Sequence, residues 1–217
     1  MANSEGSVSP VVFNRLALYA RRLRGMKAEG FVTVSSVALA DALSLNPSLV
    51  KKDLSCAIVN EGKPKVGYTI DDLIEDIESF LGYNNTKDAV LVGVGKLGQA
   101  LLGYRGFEKY GLNIIGGFDS DESIVAKEVN GKKILPIGKL ASAVKKLNIK
   151  IAILTTPGEQ AQAVTDILLR AGIRAIWNFT PAHLKAPDTV AIKNEDMAVS
   201  LAVLSQQLKE ILKKESE

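Results

Sequence analysis

The 217-residue chain is 47% hydrophobic and 24% charged, which allows a sizeable core, and its length favours two domains over one. A single cysteine, Cys56, excludes an internal disulfide; Met1 to Gly6 lacks the features of a signal peptide, and no apolar run approaches the roughly 20 residues of a membrane span. The chain therefore reads as cytoplasmic. The net charge of +3 is unevenly spread: residues 1–70 hold nine bases against five acids, and residues 71–82 hold five acids and no base. A basic front of this size suits either a phosphate backbone or a solvated face.

Taken in order, Ser9-Pro10 predicts a helix start, with a capping hydroxyl and a proline in the first turn. Phe13, Leu16, Ala17, Ala20 and Leu23 recur at helical spacing, and Gly25 is the expected C-terminal stop. Ser35 or Ser36 caps a short helix over residues 37–43, and Asn46-Pro47 opens another. Two short helices joined by a few residues are the skeleton of a helix-turn-helix. On the second, Val50, Leu54 and Ala57 form the buried stripe, while Ser48, Lys51, Lys52 and Ser55 share the opposite face. That face suits DNA: lysines reach phosphates or guanine edges, and small hydroxyls permit close approach. Residues 58–68 then read as a turn between two extended segments, a wing with Lys63 and Lys65 near its tip. Thr69 caps an amphipathic helix bearing Leu73, Ile77 and Phe80, and Gly82 to Thr86 is the linker.

Beyond the linker comes Ala89-Val90-Leu91-Val92, then Gly93-Val94-Gly95-Lys96-Leu97-Gly98, then a helix-compatible run. A G-x-G-x-x-G between a strand and a helix brings backbone N–H groups to a pyrophosphate at the helix's positive end. A second strand, Leu112 to Phe118, ends on Asp119, 21 positions after Gly98, where a carboxylate can accept the hydroxyls of an adenosine ribose. A strand over Ile149 to Thr155 runs into Thr156-Pro157-Gly158, a helix follows to about Ala171, and Ala175 to Asn178 is extended again. This alternation predicts an α/β fold with a parallel sheet. The final helix, from Met197 to about Lys213, carries Met197, Leu201, Leu204, Leu208 and Ile211 in steps of four and three, a stripe suited to a partner chain.

Together these motifs resemble the Rex family of bacterial redox-sensing repressors over nearly the whole chain. Val50 to Ser55 is similar to its Arg-Lys-Asp-Leu-Ser recognition segment, Gly67-Tyr68 to the end of its wing, and Gly103 to Phe107 to its Tyr-x-Gly-Phe segment. Phe118-Asp119-Ser120-Asp121 and Asn178-Phe179-Thr180-Pro181 resemble its adenosine-side acid and its Asn-Phe-Ala-Pro. The resemblance implies three parts: a winged helix-turn-helix over residues 1–83, a Rossmann NAD(H)-binding domain over 84–195 and a domain-swapped dimerisation helix over 196–217. It implies a homodimer on double-stranded operator DNA, an AT-rich palindrome, released by NADH. Thr155, Thr156 and Pro157 join the glycine turn and Asp119 as cofactor residues, with Tyr104 and Phe107 beside the nicotinamide and Asn178 near its amide. Arg21, Tyr104 and Asp196 match positions that exchange hydrogen bonds in the switch. The DNA-reading half departs from the family: Lys51 stands for an arginine, Cys56-Ala57-Ile58 for Tyr-Phe-Gly, and Pro64-Lys65 for the wing's Arg-Gly.

Two other readings remain open from the residues alone: a small NAD-dependent oxidoreductase, and a nucleotide- or CoA-binding module. The first needs an acid/base beside the nicotinamide. The single histidine, His183, sits in a loop with no visible partner and is expected at the surface, so no catalytic residue and no metal site is expected.

Overall fold

A computed structural model describes residues 8–58, 67–83 and 87–215, the side chain of Met197 excepted. The chain divides into two compact units, Met1–Asn85 and Thr86–Glu217.

In the first unit α1 (Pro10–Ala28) packs on α4 (Ile70–Leu81), with α2 (Ser36–Ala42) and α3 (Pro47–Leu54) completing the core. Leu16, Tyr19, Ala20 and Leu23 meet Leu39, Val50, Leu54, Leu73 and Ile77 there. Gly25 does not stop α1. Met26, one position on, is buried, and the last carbonyls accept from Glu29 and Phe31, so the stripe holds another turn in place. Ser35 and Asn46 cap their helices through their side chains. Ser9 and Thr69 occupy N-cap positions without a side-chain cap bond. At Thr69 the reason is a strand: β1 (Thr33–Val34) pairs antiparallel with β2 (Tyr68–Thr69), and the Ile70 amide donates to the Val32 carbonyl. Phe13 is partly exposed and stacks on Phe80 at 5.4 Å. The wing, with Lys63 and Lys65, lies outside the described residues.

The second unit is built on a seven-stranded sheet in the order β5-β6-β4-β3-β7-β8-β9. Its strands are β3 (Lys87–Val92), β4 (Leu112–Asp119), β5 (Glu128–Val129), β6 (Lys132–Pro136), β7 (Ile151–Leu154), β8 (Ala175–Asn178) and β9 (Ala191–Asn194). All neighbours run parallel except β5 with β6, a hairpin closed by Asn130-Gly131 with both φ positive. Leaving out β5, the order is that of a doubly wound dinucleotide fold, in which the strand order reverses between β3 and β7. Successive residues of β3 serve opposite faces. Val90 and Val92 join the core under α6 (Leu140–Lys146) and α7 (Gly158–Ala171), while Leu91 joins the core under α5 (Lys96–Gly103). The last helix, α8 (Met197–Glu215), keeps Leu201, Leu204, Leu208 and Ile211 more than half exposed. Among the described residues no helix is long and apolar enough to cross a membrane.

Candidate nucleotide cleft and nucleic-acid interface

The three glycines at the end of β3 have three different jobs. Gly93 has φ +93°, and a Cβ there would lie 2.7 Å from the Thr155–Thr156 backbone, so only glycine fits between the ends of β3 and β7. Gly98 faces inward: its Cβ would sit 2.1 Å from the Gly93 carbonyl, and its absence lets α5 close against the turn. Gly95, at the start of α5, meets nothing within 4 Å; the space beside it is open cleft. The turn is stapled from both sides. Thr155 Oγ1 donates to the Gly93 carbonyl at 2.6 Å, and the Gly93 amide donates to the Phe118 carbonyl at 2.8 Å.

The cleft over this switch point has a volume of about 780 Å³. Gly93, Gly95, Asp119, Thr155, Thr156 and Pro157 line it. Val94, Lys96, Leu97 and Gly98 shape the turn behind it: Val94 and Gly98 are buried, Leu97 half-buried, and Lys96 exposed. Its far wall has no local signal in the sequence: Ile124 and Ile137 after β4 and β6, and Val164 and Ile167 from α7, are brought in by crossovers. Three carboxylates face the cleft, Asp119, Asp121 and Glu159, and among the described residues no Lys, Arg or His lines it. Asp119 is already held, accepting from the Val94 amide on one oxygen and the Asp121 amide on the other at 2.9 Å. A carboxylate has about four acceptor positions, so it retains capacity for two ribose hydroxyls. Ser123 holds the Asp121 carboxyl below the usual carboxylate range. The Thr156 hydroxyl, in this lining, is buried without a partner among the described residues. Open space at Gly95, the start of α5 behind it and an acid at the end of β4 fit an adenine dinucleotide.

Tyr104 and Phe107 do not line the cleft. They begin an aromatic row: Tyr104 meets Phe107 edge-on at 4.8 Å, Phe107 meets Trp177 at 5.4 Å, and Trp177 meets Phe179 at 4.9 Å. Tyr104 is 56% exposed and folds over Gly106, where a Cβ would lie 2.4 Å from its ring. Asn178 ends β8. Its side chain is fully buried, donating to the Ala182 carbonyl and Asn194 Oδ1 and accepting from the Thr180 amide and hydroxyl. Two donors and two acceptors are a primary amide's whole capacity, so all four positions are used within the fold. Asp196 caps α8, accepting from the Ala198 and Val199 amides, and His183 is exposed. Among the described residues no group of His, Cys, Asp and Glu is placed to hold a metal.

On α3 the side chains of Ser48, Lys51, Lys52 and Ser55 are all exposed, with Ser55 Oγ donating to the Lys52 carbonyl at 2.7 Å. Behind them Asp53 is buried and locked to α1. Arg15 grips it with two nitrogens, and the Tyr19 hydroxyl donates to it at 2.7 Å. The Arg15 hydrogen bond holds Asp53 below the usual carboxylate range against the opposing effect of burial. Burial and the bond to Asp53 push the Tyr19 phenol up to about 12. Arg21, on α1, is exposed.

Residues 84–182 match the family model described as a CoA binding domain, and residues 7–55 match a putative DNA-binding protein N-terminus. The redox-sensing transcriptional repressor Rex of Treponema denticola is 39% identical over 204 residues, 94% of this chain and 96% of its own. Rex of Carboxydothermus hydrogenoformans is 38% identical over 91% of this chain and 95% of its own. Among solved structures, RSP in complex with β-NAD+ and operator DNA superposes with a TM-score of 0.89 at 32% identity, covering 98% of both chains. RSP in complex with β-NADH gives 0.86 at 31% identity, covering 98% of this chain and 100% of its own. At this identity and coverage the conclusion is direct: the chain belongs to the Rex family of redox-sensing transcriptional repressors.

Proposed function

We propose that this chain is a cytoplasmic transcriptional repressor, not an enzyme, that binds double-stranded operator DNA as a homodimer and is released by NADH. One observation carries the reading: a single chain joins an acid-lined cleft at a dinucleotide switch point to a helix with exposed Lys51 and Lys52 braced by a buried carboxylate. Residues 1–83 would bind DNA, 84–195 the nucleotide, and 196–217 the second protomer. Ser48, Lys51, Lys52 and Ser55, with Lys63 and Lys65 of the wing, contact an AT-rich palindrome. NAD(H) lies over Gly93 to Gly98, its adenosine ribose on Asp119 and its phosphates beside Gly95. Thr155, Thr156 and Pro157 form the floor, and the nicotinamide end approaches Tyr104 and Phe107. Arg21, Tyr104 and Asp196 exchange partners in the switch. The bound nucleotide supplies a redox-dependent charge on its ring, and the protein's part is to bind its two forms differently.

A ligand shifts an equilibrium only through its differential affinity for the two states, and the coupling is reciprocal. NADH should weaken operator binding, and operator should weaken NADH binding by the same factor. Fluorescence anisotropy on a selected AT-rich palindrome, paired with calorimetry of NADH with and without that duplex, measures both. Steady NADH consumption without DNA, or equal operator affinity in NADH and NAD+, rejects the proposal.

A further inference from the structure

The root of α8 is tied to the nucleotide end of the sheet by three hydrogen bonds. The Glu195 amide donates to the Asn178 carbonyl at 2.8 Å, Asn178 Nδ2 donates to Asn194 Oδ1 at 2.8 Å, and Trp177 Nε1 donates to Glu195 Oε1 at 3.1 Å. The next residue, Asp196, is the cap of α8. The same Asn178 side chain holds the strand-end loop through Thr180 and Ala182. That loop leans on the cleft: Pro181 packs where a Cβ on Gly158 would lie 3.2 Å away, and Pro157 lines the cleft wall. Trp177 adds a second connection, since its ring stands between Phe107 and Phe179 in the aromatic row.

We propose that Asn178 and Trp177 are positioning residues that key the exit of α8 to the state of the nucleotide cleft, acting through Asn194 and Glu195. Asn178 is 0% exposed with every valence used, so the loop cannot shift without either dragging Asn194 or leaving a buried polar group unpaired. Movement of Phe107 is passed by contact to the indole, and by its N–H to Glu195. The routes end at Asn194 and Glu195, two residues and one residue before the helix cap. A helix with an exposed apolar stripe magnifies a small rotation at its root, because its far end lies about 28 Å away at 1.5 Å per residue over 19 residues. This inference rests on the function proposed above.

The test cuts the ties from the α8 side, where the residues are exposed or half-exposed and line no cleft. The full-length double variant Asn194→Ala/Glu195→Leu removes both side-chain bonds, and Glu195→Gln keeps an acceptor for the indole. NADH affinity is measured by calorimetry without DNA, and the NADH-to-operator coupling factor by anisotropy on the selected palindrome. The double variant should keep NADH affinity within about twofold of wild type while its coupling factor falls at least about fivefold; Glu195→Gln should retain wild-type coupling. Full coupling in the double variant overturns the proposal, as does an equal loss in Glu195→Gln or a loss of NADH affinity itself. Absence of coupling in wild type would instead bring down the repressor reading, and this inference with it.

Discussion

Gly95 and Gly98 share a motif but fail differently on substitution. Gly95→Ala should leave the melting temperature unchanged, because its new methyl meets no protein atom, yet weaken NADH binding at least about tenfold by filling the space for the phosphates. Gly98→Ala should lower both, since its methyl cannot coexist with the Gly93 carbonyl. Thermal melts alongside calorimetry separate the two; a destabilised Gly95→Ala would contradict the assignment. The three acids lining the cleft likewise set the choice of nucleotide: a 2′-phosphate near Asp119 and Asp121 meets negative charge and no base, so NADPH should bind well below NADH. Equal calorimetric affinities would refute this. At Asp53 the depressed carboxyl contributes stability that is complete above its unfolded pKa of about 3.9 and lost as pH falls through the folded value. Tyr19 is the opposite case: its raised phenol contributes stability present below about pH 10 and lost as pH climbs toward 12. Asp53→Asn should therefore flatten the acid limb of a stability profile while lowering stability at neutral pH, because Arg15 loses its partner. Tyr19→Phe should flatten the alkaline limb. A profile unchanged at both ends would show that the triad does not brace α3.

The helices α3 and α8 are the elements on which the proposed function turns. If Lys51 and Lys52 each neutralise a phosphate, replacing both by alanine should lower the log–log salt slope of operator binding by about 1.8, and adding Lys63→Ala and Lys65→Ala should lower it further. An unchanged slope in the quadruple variant would remove α3 and the wing from the interface. The α1 helix passes Gly25 because a buried methionine outweighs a glycine's backbone cost of about 1 kcal/mol. The pairing of β1 with β2 continues into α4, where the Ile70 amide donates to the Val32 carbonyl. The β5–β6 hairpin has a local signal in Asn130-Gly131, while β9, four residues at a sheet edge with mostly exposed side chains, offers no periodic signal.

For the whole molecule, two-fold protein symmetry matched to a palindrome is the expected arrangement, since two copies of α3 must reach successive half-sites. With Leu201, Leu204, Leu208 and Ile211 exposed along α8, deletion of residues 196–217 should convert a dimer into an unstable monomer in sedimentation and reduce operator affinity at least about a hundredfold. A truncated chain that sediments as a stable dimer with undiminished affinity would exclude α8 from the interface.

By itself the sequence determined the elements whose reasons lie within about ten residues of chain: the capped helices at Ser35 and Asn46, the buried stripe of α3, the glycine turn between β3 and α5, and the acid at the end of β4. Periodicity and capping are local chemistry, so they can be read without coordinates. What only the tertiary structure decided depends on residues far apart in the chain. Asp53 is a brace because Arg15, 38 positions earlier, reaches it. The cleft has a far wall because the β7–α7 crossover delivers Val164 and Ile167 to it. Asn178, matched by resemblance to a position near the nicotinamide, is bonded to Thr180, Ala182 and Asn194, because the parallel pairing of β8 with β9 buries it at the end of the sheet. A side chain's free hydrogen-bonding capacity is what remains after the fold has taken its share, and that remainder is set by packing.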